Sequence, residues 1–269
     1  MVLPVAHPLD GVRAKLTRAN RHAEELGREI TAWNDRYPYG HTSEFDPDTS
    51  TYVFRYRIFE PPPPSWSVII GDIVHNLASA LDHLAWQLVI LNGCEPIERQ
   101  TAFPIFKDET HWKSSERNGG QWMMEGMSEF HKLALGWYQP CRDDEPEEHA
   151  LMRLRQLWNF DKHRTLTPVL GKYGPGATIK LHAVRDVQPG TFTGGSTIPI
   201  GPIEDNAEFA RVPIIPSGPN PTIYLDGEVT VDILFGEGCG PAGERVDETL
   251  AAIYNYVSGV FQELASGFR

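Results

Sequence analysis

The chain has 269 residues, of which 41% are hydrophobic and 22% are charged, and this composition excludes a wholly disordered protein. The formal net charge is −12, so the chain lacks the excess of Lys and Arg with which proteins bind DNA non-specifically. An enzyme that contacts RNA through one local basic patch is still compatible with this charge. The three cysteines are far apart and form no CxxC pair, so they predict neither a disulfide framework nor a cysteine zinc site.

The first residues and the longest apolar run of the chain indicate in which cellular compartment the protein is expected. The first ten residues, MVLPVAHPLD, contain no basic region followed by an apolar core, so no signal peptide is expected. The longest apolar run, within residues 68–91, is interrupted by Asp72, His75, Asp82 and His83, which makes it a poor transmembrane segment. These features predict a reduced, cytoplasmic protein without a membrane partner.

Two long segments carry regular apolar seams with alternating steps of three and four residues. The first, residues 9–35, has its seam at Leu9, Val12, Leu16, Ala19, Ala23, Leu26, Ile30 and Trp33. The second, residues 244–266, has its seam at Val246, Leu250, Ile253, Val257, Val260 and Leu264. This spacing predicts two helices that pack side by side, either within one protomer or across a homodimer.

Alternation of aromatic and polar residues indicates strands at about 45–60 and 177–235. The first strand contains Tyr52, Phe54 and Tyr56 and is predicted to form half of a hairpin through Asp46-Pro47-Asp48. Asp226-Gly227 predicts a tight hairpin between the last two strands. We expect the early and late strands to share one sheet. The predicted fold is a single α+β domain, in which a helical bundle of long helices has an antiparallel β-sheet packed against it.

The segment Gly71–Leu91, within a predicted helix over 67–91, carries its polar residues on one face. They follow one another at steps of three or one, and they are Asp72, His75, Asn76, Ser79, Asp82, His83 and Trp86. The remaining residues are almost all Ile, Val, Leu or Ala, so the pattern predicts a central, largely buried helix. Buried carboxylates and imidazoles need partners, because burying them alone costs several kcal/mol.

A second predicted helix, residues 145–164, carries a polar stripe in the sequence LRQLWNFDKHRTL. Its stripe contains Arg155, Asn159, Lys162 and His163, with Asp161 and Arg164 beside it. The two stripes are predicted to face each other, with hydrogen bonds from the first helix to Arg155, Asn159, Asp161 or His163. Three interpretations remain open at this point. The stripes form a structural hydrogen-bond network, a functional pocket or a purely solvated face.

Two sequence motifs carry a family resemblance. HNxxSALDHLxW on the first striped helix and NxDKHR at the end of the second resemble a widespread group of uncharacterised actinobacterial and phage proteins. The resemblance spans most of the chain and implies no particular activity.

More distantly, Asn159-x-x-x-His163 resembles the motif of the HEPN helical bundles. Many of those proteins are metal-independent ribonucleases of toxin and defence systems, and two motifs meet across a homodimer. In that motif an Arg directly precedes the polar residue, whereas this chain has Trp158 there and Arg155 as the nearest upstream Arg. Because many HEPN proteins cleave RNA, the resemblance implies that RNA is a partner of this chain and that His163 is a catalytic residue.

RNA cleavage by 2′-hydroxyl attack needs a proton acceptor and a cation beside the phosphorane. The predicted catalytic residues are His163, Asn159, Lys162 and Arg155. The predicted binding residues are Asp72, His75, Asn76, Asp82, His83, Asp161 and Arg164.

Other chemistries receive less support from the residue spacing. His75 and Asp82 are two helical turns apart, about 10 Å along the axis, so they do not readily share one ion, and HExxH is absent. The GxGxxG match at 238–243 precedes the last helix without a βαβ unit, so it predicts a plain turn. We therefore predict no metal and no cofactor. The alternative to a ribonuclease is a non-enzymatic binding or scaffold protein.

Overall fold

A computed structural model describes residues 7–172, 180–188, 201–226 and 231–268. The predicted α+β class is confirmed, because helices make up 46% and strands 18%. The α-helices in the described ranges are α1 Asp10–Asn34, α2 Ser65–Leu91, α3 Glu109–Lys113, α4 Gly120–Met123, α5 Glu129–Trp137, α6 Ala150–Asp161 and α7 Val246–Ala265. Among these helices, none combines the length and the apolarity of a transmembrane span.

The centre of the fold is α2, as predicted from its apolar circumference. It contacts α1, α6 and α7, and α1 runs along it most extensively. Ile70, Leu77 and Leu84 are completely buried. Each large apolar side chain buried in this way contributes about 1.5–3 kcal/mol to folding. The helix starts at Ser65, directly after the proline run 61–64, because proline is tolerated only at the start of a helix.

The two apolar seams are covered within one protomer. Leu16 and Leu26 of α1 are buried, and all six predicted seam positions of α7 are buried. The two helices do touch, but the main partner of α1 is α2. The seams therefore do not need a dimer partner. His22 takes the buried position predicted for Ala23, with its Nδ1 3.2 Å from Glu25 Oε2.

The strands of the described ranges form three small antiparallel sheets. Their bounds are β1 Tyr39–Asp46, β2 Thr51–Ile58, β3 Pro168–Lys172, β4 Lys180–Arg185, β5 Gly201–Pro202, β6 Glu208–Pro213, β7 Thr222–Asp226 and β8 Asp232–Phe235. The sheet orders are β1-β2-β6, β5-β3-β8 and β4-β7. The predicted first hairpin is confirmed by the β1–β2 pairing, and β2–β6 confirms that early and late strands pair. The prediction that the early and late strands all share one sheet is wrong, because they belong to separate sheets.

One helix boundary differs from its prediction, and some of the strand predictions fall outside the described ranges. The predicted hairpin at Asp226-Gly227 would pair β7 mainly with residues 227–230, which lie outside those ranges; within them, β7 pairs with β4 and β8 pairs with β3. Helix α6 begins at Ala150 rather than 145, since two 3₁₀ turns with proline at their first positions, Pro140–Arg142 and Pro146–Glu148, precede it. Predicted strand residues 177–179, 189–200 and 227–230 lie outside the described ranges.

The apolar side chains form two separate cores. The larger core joins the helices around α2, and the smaller one lies among β2, β6 and β7 with Val187. Phe54, Phe209 and Tyr56 fill the smaller core, and the Tyr56 and Phe209 ring centroids are 4.5 Å apart. Ile203 packs against both cores. The polar residues of α2 and α6 are carried by helices that pack in the larger core.

Candidate functional site

Helices α2 and α6 pack together as predicted, but their polar side chains do not form a buried network. No hydrogen bond joins the two predicted sets of side chains within the described part of the chain. Asp72, His75 and His83 on α2 are exposed, and so are Asn159 and His163. These groups are open to solvent, and the predicted hydrogen bonds between the stripes are wrong.

The largest group of predicted residues meets in one open cleft, called here the α2–α6 cleft. It lies between the first half of α2 and the end of α6, and its volume is about 460 Å³. Its lining residues are Ser67, Val68, Gly71, Asp72, His75, Asp161, His163, Arg164 and Thr165. Two imidazoles, two carboxylates and one guanidinium thus face the same solvent-filled space.

Asp161 is the half-buried carboxylate of this cleft. A Cβ atom on Gly71 would lie 2.6 Å from Asp161 Oδ1, so the carboxylate rests on the bare backbone of α2. Burial raises the pKa of Asp161, the nearby Asp72 carboxylate raises it further, and His75 opposes both effects. The half-buried carboxylate of Asp161 is therefore in a different environment from the exposed carboxylate of Asp72.

The end of α6 places the next two residues beside α2. The helix stops at Asp161, and the backbone N–H groups of His163 and Arg164 both donate to the carbonyl oxygen of Phe160, at 3.0 and 2.9 Å. This tight turn takes the chain off the axis of α6. His163 and Arg164 are exposed, and the imidazole of His163 forms no hydrogen bond to the described residues. A free, solvated imidazole can exchange protons with a ligand.

Lys162 points away from the α2–α6 cleft. Its Nζ lies 3.5 Å from the ring centroid of Trp158, in a cation–π arrangement. The charge of Lys162 also acts on Asp82, together with that of His83. Burial raises the pKa of Asp82, whereas an N–H bond of 3.0 Å from Phe103 and these two charges oppose the rise.

Asp82 and His83 line a second cleft, called here the α1–α2 cleft. Its volume is about 370 Å³, and its lining residues are Pro8, Gly11, Val12, Asp82, His83, Trp86, Gln87 and Thr101. Asn76 lies in neither cleft lining. It is buried, and its Nδ2 donates to the carbonyl oxygen of Asp72 at 2.7 Å within α2. Asn76 is therefore a structural residue of α2.

Arg155 and Asn159 line a third cleft of about 510 Å³. Arg155 Nη1 donates to the carbonyl oxygen of Ile105 at 2.6 Å, and its guanidinium lies 5.7 Å from the ring centroid of Phe106. The four predicted catalytic residues are therefore divided among different surroundings, and His163 alone reaches the α2–α6 cleft. The i, i+4 relation of Asn159 and His163 fails because the helix ends between them.

Sequence reasoning missed four residues of the α2–α6 cleft: Ser67, Val68, Gly71 and Thr165. Ser67 and Gly71 precede the polar stripe at helical steps of four, so an extension of the stripe by one turn would have found them. No group of three or more His, Cys, Asp and Glu side chains in the described ranges has the arrangement of a metal site.

Comparison of the chain with protein-family models, with curated proteins and with solved structures finds no match.

Proposed function

We propose that the α2–α6 cleft is an acid–base catalytic site that cleaves RNA phosphodiester bonds without a metal ion. The observation that carries this proposal is the convergence of His75, His163, Asp72, Asp161 and Arg164 on one open cleft. Catalysis of phosphodiester cleavage needs an acid, a base and a cation near the phosphate. Titratable groups in unlike environments, such as these two carboxylates, are typical of sites that use one as an acid.

The roles follow from the position and environment of each group. His163 accepts the proton of the 2′-hydroxyl as that oxygen attacks phosphorus. Asp161, whose pKa is raised by its burial and by the Asp72 carboxylate, is the group proposed to donate a proton to the 5′-oxygen as the phosphorus–oxygen bond breaks. Arg164 stabilises the negative charge of the phosphorane. The products are a 2′,3′-cyclic phosphate and a 5′-hydroxyl, and water restores the protonation states of both groups.

The wider setting of the proposal comes from the sequence. The resemblance of Asn159-x-x-x-His163 to the HEPN motif supports RNA as the substrate class and a toxin or defence system as the context. In this proposal His163 does not share its site with Arg155 and Asn159, since these two residues line another cleft. Cys94, Cys141 and Cys239 are free thiols, which fits the proposed reducing cytoplasm.

The test is RNA cleavage by purified protein, with and without EDTA, beside a thermal melt. His163→Ala removes the proposed base, so cleavage falls at least about 100-fold. The melting temperature stays within experimental error, because the imidazole is exposed and forms no hydrogen bond to described residues. EDTA leaves the rate unchanged. His111→Ala is the matched control, since this exposed imidazole lies outside the α2–α6 cleft.

Two results would contradict the proposal. One is wild-type protein that cleaves neither single-stranded nor structured RNA, and the other is His163→Ala protein with the wild-type rate. A mutant that melts well below wild type would instead support a structural role for His163, with about 1–3 kcal/mol of lost stability.

A binding function without catalysis is the second candidate, and the α1–α2 cleft is the observation that favours it. This cleft combines the buried carboxylate of Asp82 with the half-buried ring of Trp86, a pairing that suits a small organic cation. A screen of small amines by thermal shift tests it. Stabilisation that disappears in Asp82→Asn, with no RNA cleavage by the wild type, would favour this candidate.

A further inference from the structure

The polar stripe of α2 joins the α2–α6 cleft to the α1–α2 cleft. Asp72 and His75 line the first cleft, and Asp82 lines the second. With Ser79 between them, these residues follow one another at steps of three and four, so they lie on one face of α2. The distance from Asp72 to Asp82 is about 15 Å along the helix axis. One extended ligand can therefore occupy both clefts.

Helix α1 forms one wall of the path between the clefts. At one end, a Cβ atom on Gly11 would lie 3.3 Å from Nδ1 of His83. At the other end, Nε2 of His22 lies 3.9 Å from Asp72 Oδ2. The two helices therefore run antiparallel, with one face of α1 turned to the polar stripe. Glu25 on this face already has a partner, because its Oε2 lies 3.2 Å from Nδ1 of His22.

Lys15 and Arg18 are the cations of this wall. They lie between Gly11 and His22, and the four positions follow one another at steps of four, three and four, so they share one face of α1. Lys15 is half-buried and Arg18 is exposed, and neither forms an ion pair with a residue of the described ranges. Arg164 of the α2–α6 cleft also has no ion pair there. Unpaired cations around one path in an acidic chain indicate a place for phosphate groups.

The α1–α2 cleft contains the groups that hold an unpaired nucleobase. The half-buried ring of Trp86 supplies a face on which a base can stack. Asp82 Oδ1 accepts the N–H of Phe103 at 3.0 Å, whereas Oδ2 accepts no hydrogen bond from a described residue. A carboxylate oxygen that lacks a donor suits the amino group of cytosine, adenine or guanine, and it repels the 4-carbonyl oxygen of uracil.

We propose that the α1–α2 cleft is the nucleobase subsite for a single-stranded RNA whose backbone follows Lys15 and Arg18 to the α2–α6 cleft. This inference rests on the proposed RNA cleavage and names its substrate class, an unpaired strand with an amino-bearing base in the subsite. Trp86 stacks on that base, and Asp82 Oδ2 accepts a hydrogen bond from its amino group. A duplex is excluded, because its bases are paired and stacked and none can enter the cleft.

The first test measures binding apart from cleavage, by fluorescence anisotropy with labelled oligocytidylate and oligouridylate. All proteins carry His163→Ala, so that the RNA stays intact. Oligocytidylate binds at least about fivefold more tightly than oligouridylate. Adding Asp82→Asn abolishes this preference, because the amide oxygen still accepts from Phe103 while an NH₂ group replaces Oδ2. Adding Trp86→Ala weakens binding of both oligomers about tenfold. Trp137→Ala is the matched control, since this ring is 77% exposed and lines neither cleft, and it leaves binding unchanged.

The second test addresses the path along α1 through the salt dependence of binding. The double variant Lys15→Gln and Arg18→Gln reduces the slope of log K against log salt by about 1.4, because each phosphate contact of a single strand contributes about 0.7. The double variant Arg28→Gln and Arg117→Gln removes the same charge from exposed positions that line neither cleft, and it leaves the slope unchanged. Thermal melts verify that both variants are folded.

Each failure has its own signature. Equal affinities for the two oligomers, or unchanged binding in Trp86→Ala, would overturn the nucleobase subsite. Slopes that fall equally in both double variants would overturn the path along α1. Binding with the expected preference in a chain whose wild type cleaves no RNA would support the subsite and contradict the proposed catalysis. Cleavage by the wild type, with binding unchanged in every subsite variant, would contradict this inference alone.

Discussion

The carboxylate of Asp161, at the end of α6, lies directly against the backbone of Gly71 in the first half of α2. A Cβ atom at position 71 would be 2.6 Å from Oδ1 and 3.0 Å from Oδ2, closer than side chains approach each other. The absence of a side chain at Gly71 therefore decides where the proposed catalytic acid sits. This contact also explains how two helices can place a carboxylate in a cleft without a hydrogen bond between them.

We predict that Gly71→Ala reduces RNA cleavage about tenfold or more by moving the Asp161 carboxylate, in line with the cost of small displacements in active sites. Stability changes little, because alanine gains about 1 kcal/mol over glycine inside a helix and offsets the local shift. Gly27→Ala in α1 is the control, since nothing lies within 4 Å of a Cβ there. It gains stability and keeps the wild-type rate. Equal rates for both variants would contradict the role of Asp161.

The third cleft gives a prediction that separates this site from the HEPN motif. Asn159 lines that cleft with Arg155, away from His163. Asn159→Ala therefore keeps RNA cleavage within about twofold of wild type, since its exposed amide touches no group of the α2–α6 cleft. A loss as large as that of His163→Ala, measured in the same assay, would show that the two residues act together after all.

The pH dependence of cleavage reports on Asp161. The Asp72 carboxylate raises the pKa of Asp161, because two negative charges side by side disfavour ionisation. Asp72→Asn removes one of them, so the pKa of Asp161 falls and the high-pH limb of the rate profile moves to lower pH. His75→Gln has the opposite effect, since His75 lowers that pKa. A high-pH limb of the rate profile that lies at the wild-type pH in both variants would exclude Asp161 as the acid.

Folding stability depends on pH through His149, the buried N-cap of α6. Its Nδ1 accepts the N–H of Leu151 at 3.1 Å, and its Nε2 lies 2.9 Å from the hydroxyl of Tyr256, so the neutral ring fits the site. Burial lowers the pKa of His149 below its ordinary value of 6.5, although Asp143 opposes the shift. The unfolded chain then binds more protons, so this contribution is complete above pH 6.5 and declines as the pH falls below it.

Denaturant melts between pH 5 and 7.5 test this dependence. We expect the free energy of unfolding to fall less steeply with decreasing pH in His149→Asn than in the wild type, because asparagine still caps a helix but does not titrate. His41 and His131 also have pKa values lowered by burial, so part of the slope persists in His149→Asn. An identical slope in wild type and His149→Asn would contradict the assignment.

Periodicity predicted the helices well because burial imposes it. The seam of α7 and the apolar circumference of α2 were predicted from spacing alone, and both are buried. Strand partners were predicted less well. The early and late strands were expected to share one sheet, but β8 pairs with β3 and β7 with β4 in separate sheets, and long-range pairing leaves no mark in a single sequence.

For the site, sequence reasoning found the side chains but not their grouping. His75, Asp161 and His163 were all named from the two stripes, and the cleft contains all three. Arg155 and Asn159 were grouped with them by extending the periodicity of α6 beyond Asp161, where the helix ends. Helix ends are set by local capping and turns, which a periodic pattern does not contain. Gly71 was missed because its contribution is an absent side chain.

The division of apolar residues into two cores, joined at Ile203, means that this chain need not unfold all at once. The strands around Phe54 and Phe209 can open as one cooperative unit while the helices around Leu84 stay closed. Amide hydrogens of β2 and β6 then exchange with solvent faster than those of α2. Asp161 and His163 lie in the slower-exchanging unit, which also contains Leu170 of β3 and Phe235 of β8, so the cleft outlasts the opening of the smaller core.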